Sequence, residues 1–137
     1  MTDPDCVFCK IIARRLPASI LQEDDYGLVF LDIAPFEKGH ALVIPKYHAA
    51  QMTDLPLVWL QRLAPLLQDT GRRLLRGLPC DGFNILQSNG RCASQVVPHV
   101  HFHVIPRWEG RPMSWKPGAY DSPAEQAALA ARLRALR

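Results

Sequence analysis

The elements legible in this sequence are strands and helices compatible with an α+β domain, and three observations mark them. Residues 98–107, Pro98-His99-Val100-His101-Phe102-His103-Val104-Ile105-Pro106-Arg107, alternate imidazole with apolar side chains between two prolines. That is the period-2 pattern of a half-buried strand, with proline at its ends. The apolar run Ala41-Leu42-Val43-Ile44-Pro45 lies between breakers and suits a central strand. Leucines recurring from about Asp54 to Arg76 mark one long helix.

Taken in order, Asp3-Pro4-Asp5 supplies a cap and a first-turn proline for a short helix over about Cys6 to Arg14, with Ile11 and Ile12 available to a core. Cys6 and Cys9 then share one face. Pro17 to Gln22 connects into a strand, Glu23-Asp24-Asp25 turns the chain, and Leu28-Val29-Phe30-Leu31-Asp32 follows as an apolar strand. Asp32 at its end either caps the turn at Ala34-Pro35 or grips a pair of sugar hydroxyls. Gly39-His40 leads into residues 41–45, and the segments Glu23 to Asp32 and His40 to Ile44 form a natural antiparallel pair.

Thr53 or Asp54 is expected to cap the long helix, with Leu57, Leu60, Leu63, Leu67, Leu74 and Leu75 buried, Gly77 at its end and a kink at Pro65. Phe83-Asn84-Ile85-Leu86-Gln87 is a further strand. Ser88 to Ser94 is a polar turn containing Asn89-Gly90, and Gln95-Val96-Val97 then runs into the histidine strand as a hairpin. This pairing sets the loop from Ser88 to Gln95 beside the imidazoles, where backbone and amide donors suit a phosphate. Residues 108–120, rich in Gly, Pro and Trp, are loop-like. Ser122-Pro123-Ala124-Glu125 is a capping box that opens a helix to Leu136, with Leu129, Leu133 and Leu136 on one stripe. No repeat or linker interrupts the chain, so 1–137 is expected to be a single domain with 108–137 as a C-terminal extension.

A chain of 137 residues buries roughly two thirds of its unfolded surface and needs no covalent staples. Sixteen basic against thirteen acidic residues, net +3, is too little positive charge to argue for nucleic acid. No apolar stretch approaches the roughly 20 residues that span a bilayer, and the first ten residues lack a signal-like apolar core. The expected compartment is the cytoplasm, where the four cysteines are thiols or metal ligands rather than disulfides. Cys80 and Cys92 are read as bystanders.

The histidine row invites chemistry. Side chains at i and i+2 stand roughly 6.6 Å apart on one strand face, so His99, His101 and His103 form an imidazole row while the intervening apolar residues enter a core. The row could be only a polar sheet face. It could hold a catalytic zinc with a third ligand from a neighbouring strand. Or it could work covalently, since neutral imidazole attacks phosphorus well and leaves well once protonated. Cys6-Val7-Phe8-Cys9 is equally open: a redox pair, two buried thiols, or half of a zinc site completed by His48 and one end of the row.

Four segments together carry a resemblance. Cys6-Val7-Phe8-Cys9-Lys10-Ile11-Ile12, Phe30-Leu31-Asp32-Ile33, Gly39-His40-Ala41-Leu42-Val43-Ile44-Pro45-Lys46 and the full His99-Val100-His101-Phe102-His103-Val104-Ile105 signature are similar to the histidine triad superfamily. They resemble its Hint-like, phosphoramidase branch more closely than the uridylyltransferase branch, which lacks the third alternating histidine. The resemblance implies a five-stranded antiparallel sheet with a long helix packed on it, commonly a two-fold homodimer. It implies that His101 is the nucleophile, that His103 and His40 hold hydrogen bonds around it and the phosphate, and that Asp32 binds ribose. In the zinc-containing members the ligands correspond to Cys6, Cys9, His48 and His99, a closed structural site. Where relatives usually place Asn or Gln, eleven residues before the first triad histidine, this chain has Ser88, and Asn89 or Gln95 is expected to replace the missing amide.

The function these readings imply is attack by His101 on the α-phosphorus of a purine nucleotide derivative such as an AMP phosphoramidate, followed by hydrolysis, with His103, backbone N–H groups and Gln95 stabilising the developing charge. The alternatives are a dinucleoside polyphosphate hydrolase and a non-enzymatic nucleotide-binding or interaction protein. Arg91 and Arg107 are the only basic residues between Leu78 and Arg107, which favours an amine over a polyphosphate as leaving group.

Overall fold

The computed structural model describes residues 2–136. Five strands, β1 (Ile20–Glu23), β2 (Gly27–Leu31), β3 (Ala41–Pro45), β4 (Gly82–Gln87) and β5 (Phe102–Arg107), form one antiparallel sheet in the order β1-β2-β3-β5-β4. Three helices accompany it: α1 (Val7–Ile12), α2 (Leu57–Gly77) and α3 (Pro123–Ala135). This is the five-stranded sheet with a long packed helix that the sequence led us to expect.

The sheet is covered on both faces, which explains the unbroken apolar runs of β2 and β3, buried along their whole length. On one face Val29, Leu31, Ala41, Val43, Val100, Phe102 and Val104 pack with Leu63, Leu66 and Leu74 of α2 and with Ala130 and Leu133 of α3. On the other, Leu28, Phe30, Leu42 and Ile44 meet Cys6, Phe8, Cys9 and Ile11 around α1. Each large aliphatic side chain so buried contributes about 1.5–3 kcal/mol. The alternation of residues 99–104 therefore divides as expected, with Val100, Phe102 and Val104 in the α2 core and the histidines toward the α1 face.

Several local expectations need correction. The long helix begins at Leu57, not at Thr53 or Asp54, because Met52–Asp54 closes a separate 3-10 turn and Leu55 is extended. The inward face is then Leu63, Leu66, Thr70 and Leu74, while Leu57 and Leu75 are 64% and 44% exposed. A leucine-only count misplaced the stripe because the small Thr70 and Gly71 sit on it. Gly71 has a packing reason: a Cβ there would lie 2.9 Å from two Phe83 ring carbons. The helix continues through Pro65, which is exposed. At the N-terminus, the cap of α1 is Cys6 itself, whose sulfur accepts the Cys9 N–H, rather than an aspartate. Only Phe102 onward is paired as strand, so His99 and His101 stand on the approach to β5.

The segment after β5 is bound to the sheet rather than trailing from it. Arg111 reaches Glu37 at 2.9 Å, Gly118 N–H donates to the Pro35 carbonyl at 2.9 Å, and Gly39 N–H donates to the Tyr120 hydroxyl at 3.0 Å. Ser122 caps α3 through the Glu125 N–H, as the capping box foretells. The sheet ends in β1 and β4, each with one side unpaired within the described residues.

Candidate functional site

Strand order assembles the site. Pairing of Leu31 with Ala41 and of Ala41 with Val104 brings the end of β2, the start of β3 and the middle of β5 side by side. Asp32 follows β2, His40 precedes β3, and His103 pairs with Leu42, so all three meet on the α1 face. Imidazole rings of His101 and His103 lie edge to face, 4.9 Å between centroids, and those of His40 and His103 are 5.1 Å apart.

The hydrogen bonds determine which nitrogens carry protons. His101 Nδ1 is 2.7 Å from the His99 carbonyl, an acceptor only, so Nδ1–H donates and Nε2 keeps its lone pair. The Phe36 N–H donates to His40 Nδ1 at 3.1 Å, so neutral His40 carries its proton on Nε2 and donates to His103 Nδ1 at 2.9 Å. The proton of neutral His103 must then sit on Nε2. One ring thus presents a nucleophile and its neighbour presents a donor. Asp32 Oδ1 accepts the Ala34 N–H at 2.9 Å, closing the turn, while Oδ2 lies 3.7 Å from His40 Nε2. Both readings of Asp32, turn cap and sugar ligand, therefore concern different oxygens.

Burial keeps these rings neutral. Desolvation pushes His40, 1% exposed, from 6.5 down to about 4, with the His101 charge adding to this and Asp32 opposing it. His103 is lowered to about 4 by burial and then by repulsion from His101 and His40. His101 is lowered as well, chiefly by burial. A nucleophilic nitrogen is available throughout the physiological range.

Asp32, His40 and His103 also place ligand atoms within 4.8 Å of one another, but this set has one histidine of the row, where the catalytic-metal reading takes alternating row histidines with one outside ligand. His40 Nε2 and His103 Nδ1 face each other at 2.9 Å.

A second cluster is built differently. Cys6 Sγ is 3.3 Å from His99 Nδ1, Cys9 Sγ is 3.5 Å from His48 Nδ1 and 3.7 Å from His99 Nδ1, and the two Nδ1 atoms are 3.1 Å apart. The edges of a tetrahedron of zinc ligands are about 3.3 Å between nitrogens, 3.5 Å between nitrogen and sulfur and 3.8 Å between sulfurs, so the spacing fits. His99 donates Nε2–H to the Pro45 carbonyl at 2.9 Å, leaving its Nδ1 lone pair to face the thiols. Four soft and borderline donors, three of them buried and His48 partly so, converge as a metal site requires. Burial raises the Cys6 thiol, an effect a bound cation would reverse.

Of the remaining residues, Ser88 directly follows β4, whose Gln87 pairs with Phe102, and so stands at the level of His101. Asn89 Oδ1 accepts the Met52 N–H at 2.7 Å, and Gln95 is saturated inside the chain: Oε1 accepts the Gly90 N–H at 2.7 Å and Nε2 donates to the carbonyls of Ala50 and Val97. The two amides hold the loop. Two participants escaped the sequence reading. Phe36 supplies the N–H that sets the His40 tautomer and stacks on that ring at 5.2 Å, and Phe8 packs its ring on both His99 and His101. Phe8 carried a signal, since it lies inside the Cys-x-x-Cys segment; Phe36 carried none.

Comparison with known proteins agrees with this geometry. A family model described as the HIT domain matches residues 13–110. The adenosine 5′-monophosphoramidase HNT1 of Saccharomyces cerevisiae is 46% identical over 105 residues, which cover 77% of this chain and 64% of the yeast protein, so the chain spans under two thirds of that relative. A Hit-like protein of Bartonella henselae, described as involved in cell-cycle regulation, superposes with a TM-score of 0.90 at 31% identity over 97% of this chain and 96% of its own. A zinc-bound histidine triad protein of Mycobacterium smegmatis does so with a TM-score of 0.86 at 38% identity, covering 96% and 91%.

Proposed function

The chain belongs to the histidine triad family, and from that premise we propose that it is a nucleotide hydrolase of the phosphoramidase kind, acting on adenosine 5′-phosphate linked through nitrogen. The observation that carries the reading is the 2.7 Å contact from His101 Nδ1 to the His99 carbonyl, which leaves Nε2 free to attack. His101 Nε2 bonds to the α-phosphorus, the phosphorus–nitrogen bond breaks, and the nitrogen departs as the amine once protonated. Water then cleaves the bond between phosphorus and Nε2, releasing AMP and restoring the imidazole. His103 Nε2–H, beside the nucleophile, donates to a phosphoryl oxygen, and His40 holds His103 in the tautomer that can do so. Such a donor is worth roughly 3 kcal/mol when its partner oxygen gains charge.

Asp32 Oδ2 is the group offered to ribose hydroxyls, and Ser88 with the backbone of the loop that Asn89 and Gln95 brace receives the phosphate. Cys6, Cys9, His48 and His99 would hold zinc; a zinc ion there supplies structure, since the four ligands close its tetrahedron to water. The M. smegmatis structure supports that assignment. The unit of function is one domain over 1–137 in the cytoplasm, acting on a small nucleotide rather than on nucleic acid or a membrane. It works as a homodimer, for which the unpaired side of β4 and the exposed Ile85 and Leu75 provide a surface.

Single-turnover trapping of a nucleotidyl-protein tests the reaction: a labelled adduct lost in His101→Ala is expected, and no adduct with bound nucleotide would leave a binding protein instead. Leaving-group preference is tested by kcat/KM for an adenosine phosphoramidate against diadenosine tetraphosphate. A dinucleotide better by tenfold, about 1.4 kcal/mol, would reverse the assignment.

A further inference from the structure

Phe8 lies between the two cysteines and is 6% exposed. Its ring meets His101 edge to face at 5.2 Å and 78°, His99 at 5.7 Å and 81°, and is backed by Phe30 at 5.7 Å and 69°. Helix α1 has only six residues and cannot hold itself by its own hydrogen bonds, because isolated helices shorter than about 12 residues are marginal in water. What fixes its first turn is Cys6 as cap, Cys9 bonded to it, and the packing beneath.

His99 arrives from the other side and uses three of its groups at once. Its Nδ1 faces the thiols, its Nε2–H is anchored on the Pro45 carbonyl, and its own carbonyl accepts the Nδ1–H of His101. So two of the residues that contact His101, Phe8 through its ring and His99 through the carbonyl that sets the tautomer, are rooted in the Cys6, Cys9, His48, His99 cluster. Without a cation the cluster is held only by thiol–imidazole contacts of 3.3 to 3.7 Å, whereas a bound cation would draw all four ligand atoms, and with them α1 and His99, onto one centre.

We propose that the metal centre is an anchor for the nucleophile, transmitted through Phe8 and the His99 carbonyl, which makes these two positioning residues for the transfer. The inference rests on the reading that zinc occupies the cluster and that His101 attacks. The carbonyl selects the tautomer with its lone pair on Nε2. The Phe8 ring, packed in a T-shaped contact with the imidazole, keeps it from rotating off that carbonyl. Closure of the metal site is what presses it there.

The test uses full-length protein labelled with 15N at histidine, observed by two-bond 1H–15N spectra at neutral pH in three states: zinc-loaded, stripped by a chelator, and zinc-loaded Phe8→Leu. Loaded protein is expected to show His101 purely as the Nδ1–H tautomer. Stripped protein and Phe8→Leu should both show a mixture, with one zinc per chain retained in the variant and its kcat lowered about tenfold, as misplacement of a reacting group does. A residue that only stabilised the fold would lower the melting temperature and leave the tautomer alone. A single tautomer in both altered states overturns the proposal; a mixture in the stripped protein alone removes Phe8 from it. If stripping unfolds the chain, the Phe8→Leu spectrum decides. Failure of the underlying reading looks different: no zinc taken up by the native protein, or no adduct trapped at His101.

Discussion

His40 Nε2 and His103 Nδ1 lie 2.9 Å apart although 63 residues separate them in the chain. The His40 Nε2–H bridges the two rings, and burial holds each of them neutral down to about pH 4.

Stability should therefore depend on pH in a definite direction. In the unfolded chain both histidines take up protons below their ordinary 6.5, whereas the folded rings resist until about 4. The unfolded state binds more protons across that window, so unfolding free energy falls as pH drops from 6.5 toward 4, by roughly 3 kcal/mol for each ring. Urea titrations at pH 7, 5.5 and 4.5 measure it, and a His40→Asn/His103→Asn protein should show a shallower slope. A wild-type curve flat over this range would contradict the burial argument.

His103→Ala removes the Nε2–H donor while keeping the nucleophile. Loss of about 10²-fold in kcat/KM is expected, with AMP affinity changed only a few fold, because the donor is aimed at charge that develops in the transition state. Steady-state kinetics with calorimetric AMP binding separates the two; an effect confined to affinity would demote His103 to a binding residue.

If zinc occupies the Cys6, Cys9, His48, His99 cluster in the structural role proposed, removing it costs stability. With zinc at about 100 times its dissociation constant the linkage is about 2.7 kcal/mol, roughly 5–10 °C in a domain of this size. Differential scanning calorimetry with and without chelator, alongside Cys9→Ser, tests this, and an unchanged melting temperature together with absent zinc would assign the cysteines to packing alone.

Gly71→Ala is expected to destabilise. On helix propensity alone the change gains about 1 kcal/mol, but the new methyl overlaps the Phe83 ring, where overpacking costs about 1–3 kcal/mol. The balance is a net loss of about 1 kcal/mol, relieved in Gly71→Ala/Phe83→Leu; chemical denaturation of the two variants reads the sign.

Light scattering should give a mass near twice the 15.4 kDa of one chain at micromolar concentration. Ile85→Lys, placing a charge on the exposed side chain of β4, should shift the protein toward monomer, and a wild-type monomer would end the homodimer reading.

The alternation of residues 99–104 by itself determined that the histidines share one face and that Val100, Phe102 and Val104 enter a core, because strand periodicity is local. The order of the segments and the complete triad signature likewise identified the sheet, the long helix and the family before any coordinates. Other features depend on contacts across the chain. Cys6 meets His99 across 93 residues and His40 meets His103 across 63, and only the strand order β2-β3-β5 brings them together. Local pattern also could not tell that the Gln95 amide is consumed in bracing its own loop, that the helix starts at Leu57 rather than just after Thr53 or Asp54, or that Phe8 sits against the His101 ring. Hydrogen-bond partners and ring contacts are properties of the packed chain, and the tautomers that leave a lone pair on His101 Nε2 and a proton on His103 Nε2 are determined there, by a carbonyl and an N–H that no motif encodes.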